Sequence, residues 1–86
     1  MEELSMHIST LAHYREPDCT EEQRREIEQY IEDIPDPQTR EMFRLHFICG
    51  LSYAKTAAEL GGGMGRMCVF HRVHRYKPRR KVGDSL

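Results

Sequence analysis

The chain has 86 residues, room for one small domain with one modest core. Thirteen Lys/Arg against fourteen Asp/Glu leave a net charge of −1, and no run of about 18 apolar residues occurs, which excludes a membrane-crossing helix. The acidic start "MEELSMHIST" lacks the basic and then apolar pattern of a secretory leader, and Cys19, Cys49 and Cys68 are an odd set without framework spacing, so reduced thiols and a cytoplasmic location are expected.

The elements read as helices in chain order. In "EELSMHISTLAHY", Leu4, Ile8 and Leu11 recur at spacings of four and three, an amphipathic helix that Pro17 breaks. Thr20 and Gln23 then form a capping box, with Glu21 and Glu22 in the favourable first turn. Ile27, Tyr30, Ile31 and Ile34 make the apolar stripe of this second helix, and Pro35 ends it. Asp36 and Pro37 restart the chain as N-cap and first helical residue. The helix "PQTREMFRLHFIC" runs to a left-handed cap at Gly50 and is expected to be the most buried. Ser52 caps the short helix "YAKTAAEL", which Gly61 closes. A last helix starts near Met64 or Gly65 and stops before Pro78, leaving "PRRKVGDSL" as a basic tail. No strand pattern or repeat is found. The fold class is therefore all-α, a small helical bundle over residues 1–77 with a flexible tail over 78–86. Phe43, Phe47, Ala57, Leu60, Met67 and Phe70 are expected to share the core.

Charge is distributed unevenly. Residues 1–65 carry thirteen acids and six Lys/Arg, whereas residues 66–86 carry seven Lys/Arg and only Asp84. A basic C-terminal segment of this kind suits a polyanionic partner. The last three helices have the layout of a helix-turn-helix over about residues 37–77. Small Ala57 permits close packing, Gly61 permits the turn, and the final helix has a basic face of Arg66, Arg72, Arg75 and Lys77.

The stretch "IPDPQTREMFRLHFICGLSYAKTAAELGGGMGRMCVFH" resembles region four of bacterial sigma factors. More narrowly, it is similar to the phage sigma-like regulators of late transcription of the ArpU/RinA type. The likeness rests on Arg40, Met42, Phe43, Phe47, Ile48, Gly50, Ser52, Tyr53, Ala57 and Gly61, followed by Met67, Phe70 and His71. His46, Thr56, Gly62 and Gly63 depart from that pattern, and the two glycines imply a late start for the recognition helix. The resemblance implies a DNA-binding transcription regulator with duplex DNA as partner. On that layout Gly65, Arg66 and Val69 lie nearest the bases. Arg72, Arg75, Lys77, Arg79, Arg80 and Lys81 hold phosphates, while Ser52 and Lys55 touch the DNA backbone at the entrance of the short helix. A second reading of the same scaffold is a small phage protein that grips and inhibits a host nucleic-acid enzyme, such as RNA polymerase or a CRISPR nuclease. The acidic front would then occupy a basic channel.

Other chemistries are disfavoured. Gly61 to Gly65 do not make a phosphate loop, because no strand precedes them and no Lys-Ser/Thr follows. Gly62, Gly63 and Gly65 suit a turn that settles on a partner, or a close backbone approach to one. His46-x-x-Cys49 and Cys68-x-x-His71 have the spacing of a zinc site. The simpler expectation is buried thiols, a core His71 and no metal or other cofactor. A Cys/His dyad would need a cleft that so short a helical chain hardly provides, so no enzyme activity is expected. Tyr76 sits among basic residues, either as a boundary residue or as a nucleic-acid contact.

Overall fold

The computed structural model describes residues 8–76, and within them the chain is a bundle of five helices without strands. Helix α1 spans Ile8–Ala12 and tightens into a 3-10 turn over His13–Arg15. Helix α2 spans Glu21–Glu32. Helix α3 spans Pro37–Phe43 and continues as a π-helical turn over Arg44–Ile48. Helices α4 and α5 span Tyr53–Leu60 and Arg66–Arg75. No helix among the described residues is long and apolar enough to cross a membrane. Residues 1–7, which begin the expected first helix, lie outside the described residues, as do Lys77, Arg79, Arg80 and Lys81.

Local chemistry starts three of the helices. Thr20 Oγ1 accepts from Gln23 N at 3.1 Å while Thr20 N donates to Gln23 Oε1 at 2.9 Å, the reciprocal capping box. At α3, Asp36 Oδ2 accepts from Thr39 N at 2.9 Å and from Thr39 Oγ1 at 2.8 Å. These bonds, the side-chain one first, hold the Asp36 carboxyl below its ordinary value of 3.8, with smaller help from Arg72 and Arg40. At α4, Ser52 Oγ accepts from Lys55 N at 3.1 Å. The π turn is the departure from the expected straight third helix. Cys49 N reaches back five residues to Arg44 O at 3.0 Å, and the widened turn shifts the phase of the side chains that follow. Gly50 ends the helix at φ 77°, where a Cβ would come within 2.6 Å of Arg15 Nε. The same guanidinium donates from Nη1 to Ile48 O at 3.0 Å, tying the first helical segment to the end of the third.

One core joins all five helices. Leu11, Ile27, Ile31, Ile34, Met42, Phe43, Phe47, Ala57, Val69 and Val73 are buried together. Phe43 packs against Phe47 with ring centroids 5.6 Å apart, and Tyr76 meets Phe43 edge-on at 5.3 Å and Tyr30 at 6.4 Å. Tyr76 is therefore a boundary residue that pins the end of α5 to α2 and α3. Burial, foremost, raises its hydroxyl pKa. Phe43, Phe47 and Ala57 occupy the core as expected, whereas Leu60 and Phe70 are only half-buried. Met67 does not enter it and is 53% exposed. The reason is helical phase. Val69 and Val73, four apart, face inward with 0% and 2% exposure, and Met67 lies two residues, about 200°, before Val69.

Candidate nucleic-acid interface

Helix α5 is built to be held by one face and to present the other. Val69 and Val73 anchor it, and α4 is the element against which it packs most extensively. Arg66, Met67, Cys68, His71, Arg72, His74 and Arg75 are all exposed. No acid occurs between Arg66 and Tyr76. Cys68, His71, Arg72, Arg75 and Tyr76 line a shallow concavity of about 340 Å³ along this face. Val69, expected beside the bases, is instead fully buried and cannot reach them.

Arg66 and Arg75 are both exposed, one at each end of the helix and about 180° apart around its axis, with Met67, His71 and His74 on the side between them. Arg72 has a different setting. Its Nη1 donates to Thr39 Oγ1 at 3.3 Å and lies 3.8 Å from Asp36 Oδ2, with Gln38 Oε1 at 3.5 Å. It bolts α5 to the start of α3, and its charge is shared with Asp36. Gly65 is the N-cap of α5, exposed, with φ −101°, and no side chain caps this helix. The positive end of α5 therefore faces solvent with Arg66 beside it.

The glycines before it divide by cause. Gly61, Gly62 and Gly63 have φ of 71°, 70° and 75°, a backbone that L side chains rarely adopt. A Cβ on any of them would meet nothing within 4 Å, so conformation and not crowding requires glycine there. Gly65 has neither a positive φ nor a neighbour within 4 Å of a built Cβ.

Ser52 and Lys55 are both exposed on the first turn of α4, with the Ser52 oxygen engaged as the cap. The adjacent Tyr53 connects this turn to α5, as its hydroxyl lies 3.1 Å from His74 Nε2 and its ring meets Phe70 at 5.3 Å. On its other face Tyr53 stacks on His46, 4.1 Å apart and 15° from parallel. Phe70 in turn lies 4.1 Å from His74. This column of rings fastens the end of α3, the start of α4 and the end of α5 together, and burial raises the Tyr53 hydroxyl pKa. Sequence reasoning missed it. The one local sign was the Phe70–His74 spacing of four on a single helix.

The zinc spacing does not assemble. His46 Nδ1 lies 2.7 Å from Leu51 O, and its ring is occupied by Tyr53 and Phe47. Cys49, Cys68 and His71, expected inside, are exposed, and only Cys19 of the three thiols is buried. Among the described residues no group of three or more His, Cys, Asp or Glu is placed to hold a metal ion. Comparison of the chain with protein-family models, curated proteins and solved structures gives no match.

Proposed function

We propose that the chain is a DNA-binding transcription regulator of the phage sigma-like type, with α4 and α5 working as a helix-turn-helix and α5 entering the major groove. The observation that carries this reading is the outward face of α5. It is cationic, free of acids, and borne by a helix whose opposite face is locked into the core by Val69 and Val73. Such a face can lie in a groove without disturbing the fold. Arg66 at the uncapped start is the base-edge candidate, while Arg75 and the basic residues from Lys77 to Lys81 are phosphate candidates. Ser52 and Lys55 remain available to a phosphate at the start of α4. Arg72 is reassigned from phosphate contact to a structural bolt, because Asp36 and Thr39 already engage it.

The exposed acids of α2 and its end, Glu21, Glu22, Glu26, Glu28, Glu32 and Asp33, support the second reading, a grip on a basic host nucleic-acid enzyme. Anisotropy titration of a labelled duplex separates the two. Arg66→Glu and Arg75→Glu should each weaken duplex binding about tenfold or more, the range for losing a charged hydrogen bond. Glu22→Gln on α2 should leave it unchanged. Duplex binding indifferent to both arginines would reject α5 as the reading helix.

A further inference from the structure

We propose that α5 reads the methyl group of a thymine through Met67, with Arg66 beside it taking the acceptor edge of a guanine. This inference rests on the DNA-binding reading above and names the kind of sequence that the same face would select. Met67 is the large hydrophobic residue that the described chain leaves in water, at 53% exposure, and it sits in the first turn of the helix on a face shared with His71 and His74 and flanked by Arg66 and Arg75. Phosphate contact gives no reason for a thioether there. Base reading does, because apolar side chains distinguish thymine by its 5-methyl group, and an unbranched thioether adapts to an irregular groove floor.

The neighbouring residues narrow the choice. From Met64 to Tyr76 there is no Asn, Gln, Asp or Glu. The amides that pair with adenine and the carboxylates that accept from cytosine are therefore missing from this helix. What remains at its outward start is Arg66, suited to guanine O6 and N7, then Met67 and Cys68, suited to thymine methyls. Gly65 adds no side chain in front of this turn, and the space where its Cβ would stand is open, so the groove can approach closely. The positive charge of Arg66 and Arg75 on the same helix, with no acid between them, complements a polyanion and commits the occupant to a nucleic acid. The methyl commits it to DNA, because uracil lacks that group.

The test uses the full chain and a random-sequence duplex pool, from which bound duplexes are selected and sequenced. Enriched duplexes are then resynthesised with deoxyuridine in place of each thymine, which removes one methyl and leaves the phosphates and hydrogen-bonding edges intact. Wild-type protein should bind the deoxyuridine duplex about fourfold more weakly at the contacted thymine, the value of one buried methyl. Met67→Ala should bind thymine and deoxyuridine duplexes alike, with an unchanged circular dichroism spectrum. Met67→Gln, which keeps the length and supplies an amide, should shift the enriched base from thymine toward adenine. Tight duplex binding with no deoxyuridine penalty overturns the inference and leaves the DNA-binding reading standing, as does a penalty that persists in Met67→Ala. Absence of any duplex binding overturns both.

Discussion

Thr56 lies within α4 with 0% exposure, and its hydroxyl finds no hydrogen-bond partner among the described residues. A buried, unpaired hydroxyl carries a desolvation cost that an isosteric methyl does not. Thr56→Val should therefore stabilise the fold by about 1 kcal/mol, seen as a higher urea midpoint with an unchanged slope. Phe47, 3% exposed and packed at a tilt against Phe43, has the opposite sign, and Phe47→Ala should cost about 3–5 kcal/mol. Met67→Ala should stay within about 0.5 kcal/mol of wild type because its side chain is half in water. The contrast marks where single residues are legible. Phe43 and Phe47 on α3 and its π turn, and Ala57 on α4, are readable as core because each stretch starts at a side-chain cap and is closed by a glycine. The start of α5 at Gly65 is legible too, but its phase is not: the Val69–Val73 pair, four apart, decides which face turns inward, and Met67, about 200° from Val69, is turned out.

At the scale of elements, the N-caps at Thr20, Asp36 and Ser52 are legible because each cap is completed within three residues. The ring column of His46, Tyr53, Phe70 and His74 is not, since it joins residues from three helices, and the π turn is not, since no residue type marks a bond that spans five residues in place of four. The glycine turn gives a graded prediction. Gly62→Ala and Gly63→Ala should each cost about 1–2 kcal/mol, from forcing an L residue into positive φ. Gly61→Ala should cost more, since φ 71° with ψ −157° is a conformation open to glycine almost alone. Gly65→Ser should instead stabilise by a few tenths, by capping a helix that has no side-chain cap. Thermal unfolding of the four variants should give that order. Asp36 adds a pH dependence. Its folded-state carboxyl titrates below the ordinary value, so its contribution is present at neutral pH and persists down to about pH 4, then fades as pH falls further. Asp36→Asn should lower the melting temperature at pH 7 and show a smaller drop than wild type below pH 4.

Over the whole molecule, the uneven charge is legible from the sequence because it needs no fold. What the fold contributes is the direction in which the charge points. The acids of α2 and the arginines of α5 are both exposed, while Arg72 is partly neutralised by Asp36 across the bundle. Each Lys or Arg that neutralises a phosphate releases condensed counterions, so the logarithm of affinity falls with the logarithm of salt by about 0.9 per contact. The duplex-binding constant of the full chain as a function of salt therefore tests the central claim. With Arg66, Arg75 and two or three tail residues engaged, the slope should be about −4, and Arg66→Ala or Arg75→Ala should flatten it by about one each. Arg72→Ala should leave the slope nearly unchanged and lower the melting temperature instead. No duplex binding at low salt, or binding whose strength ignores salt and the arginines of α5 alike, would refute DNA recognition by this helix.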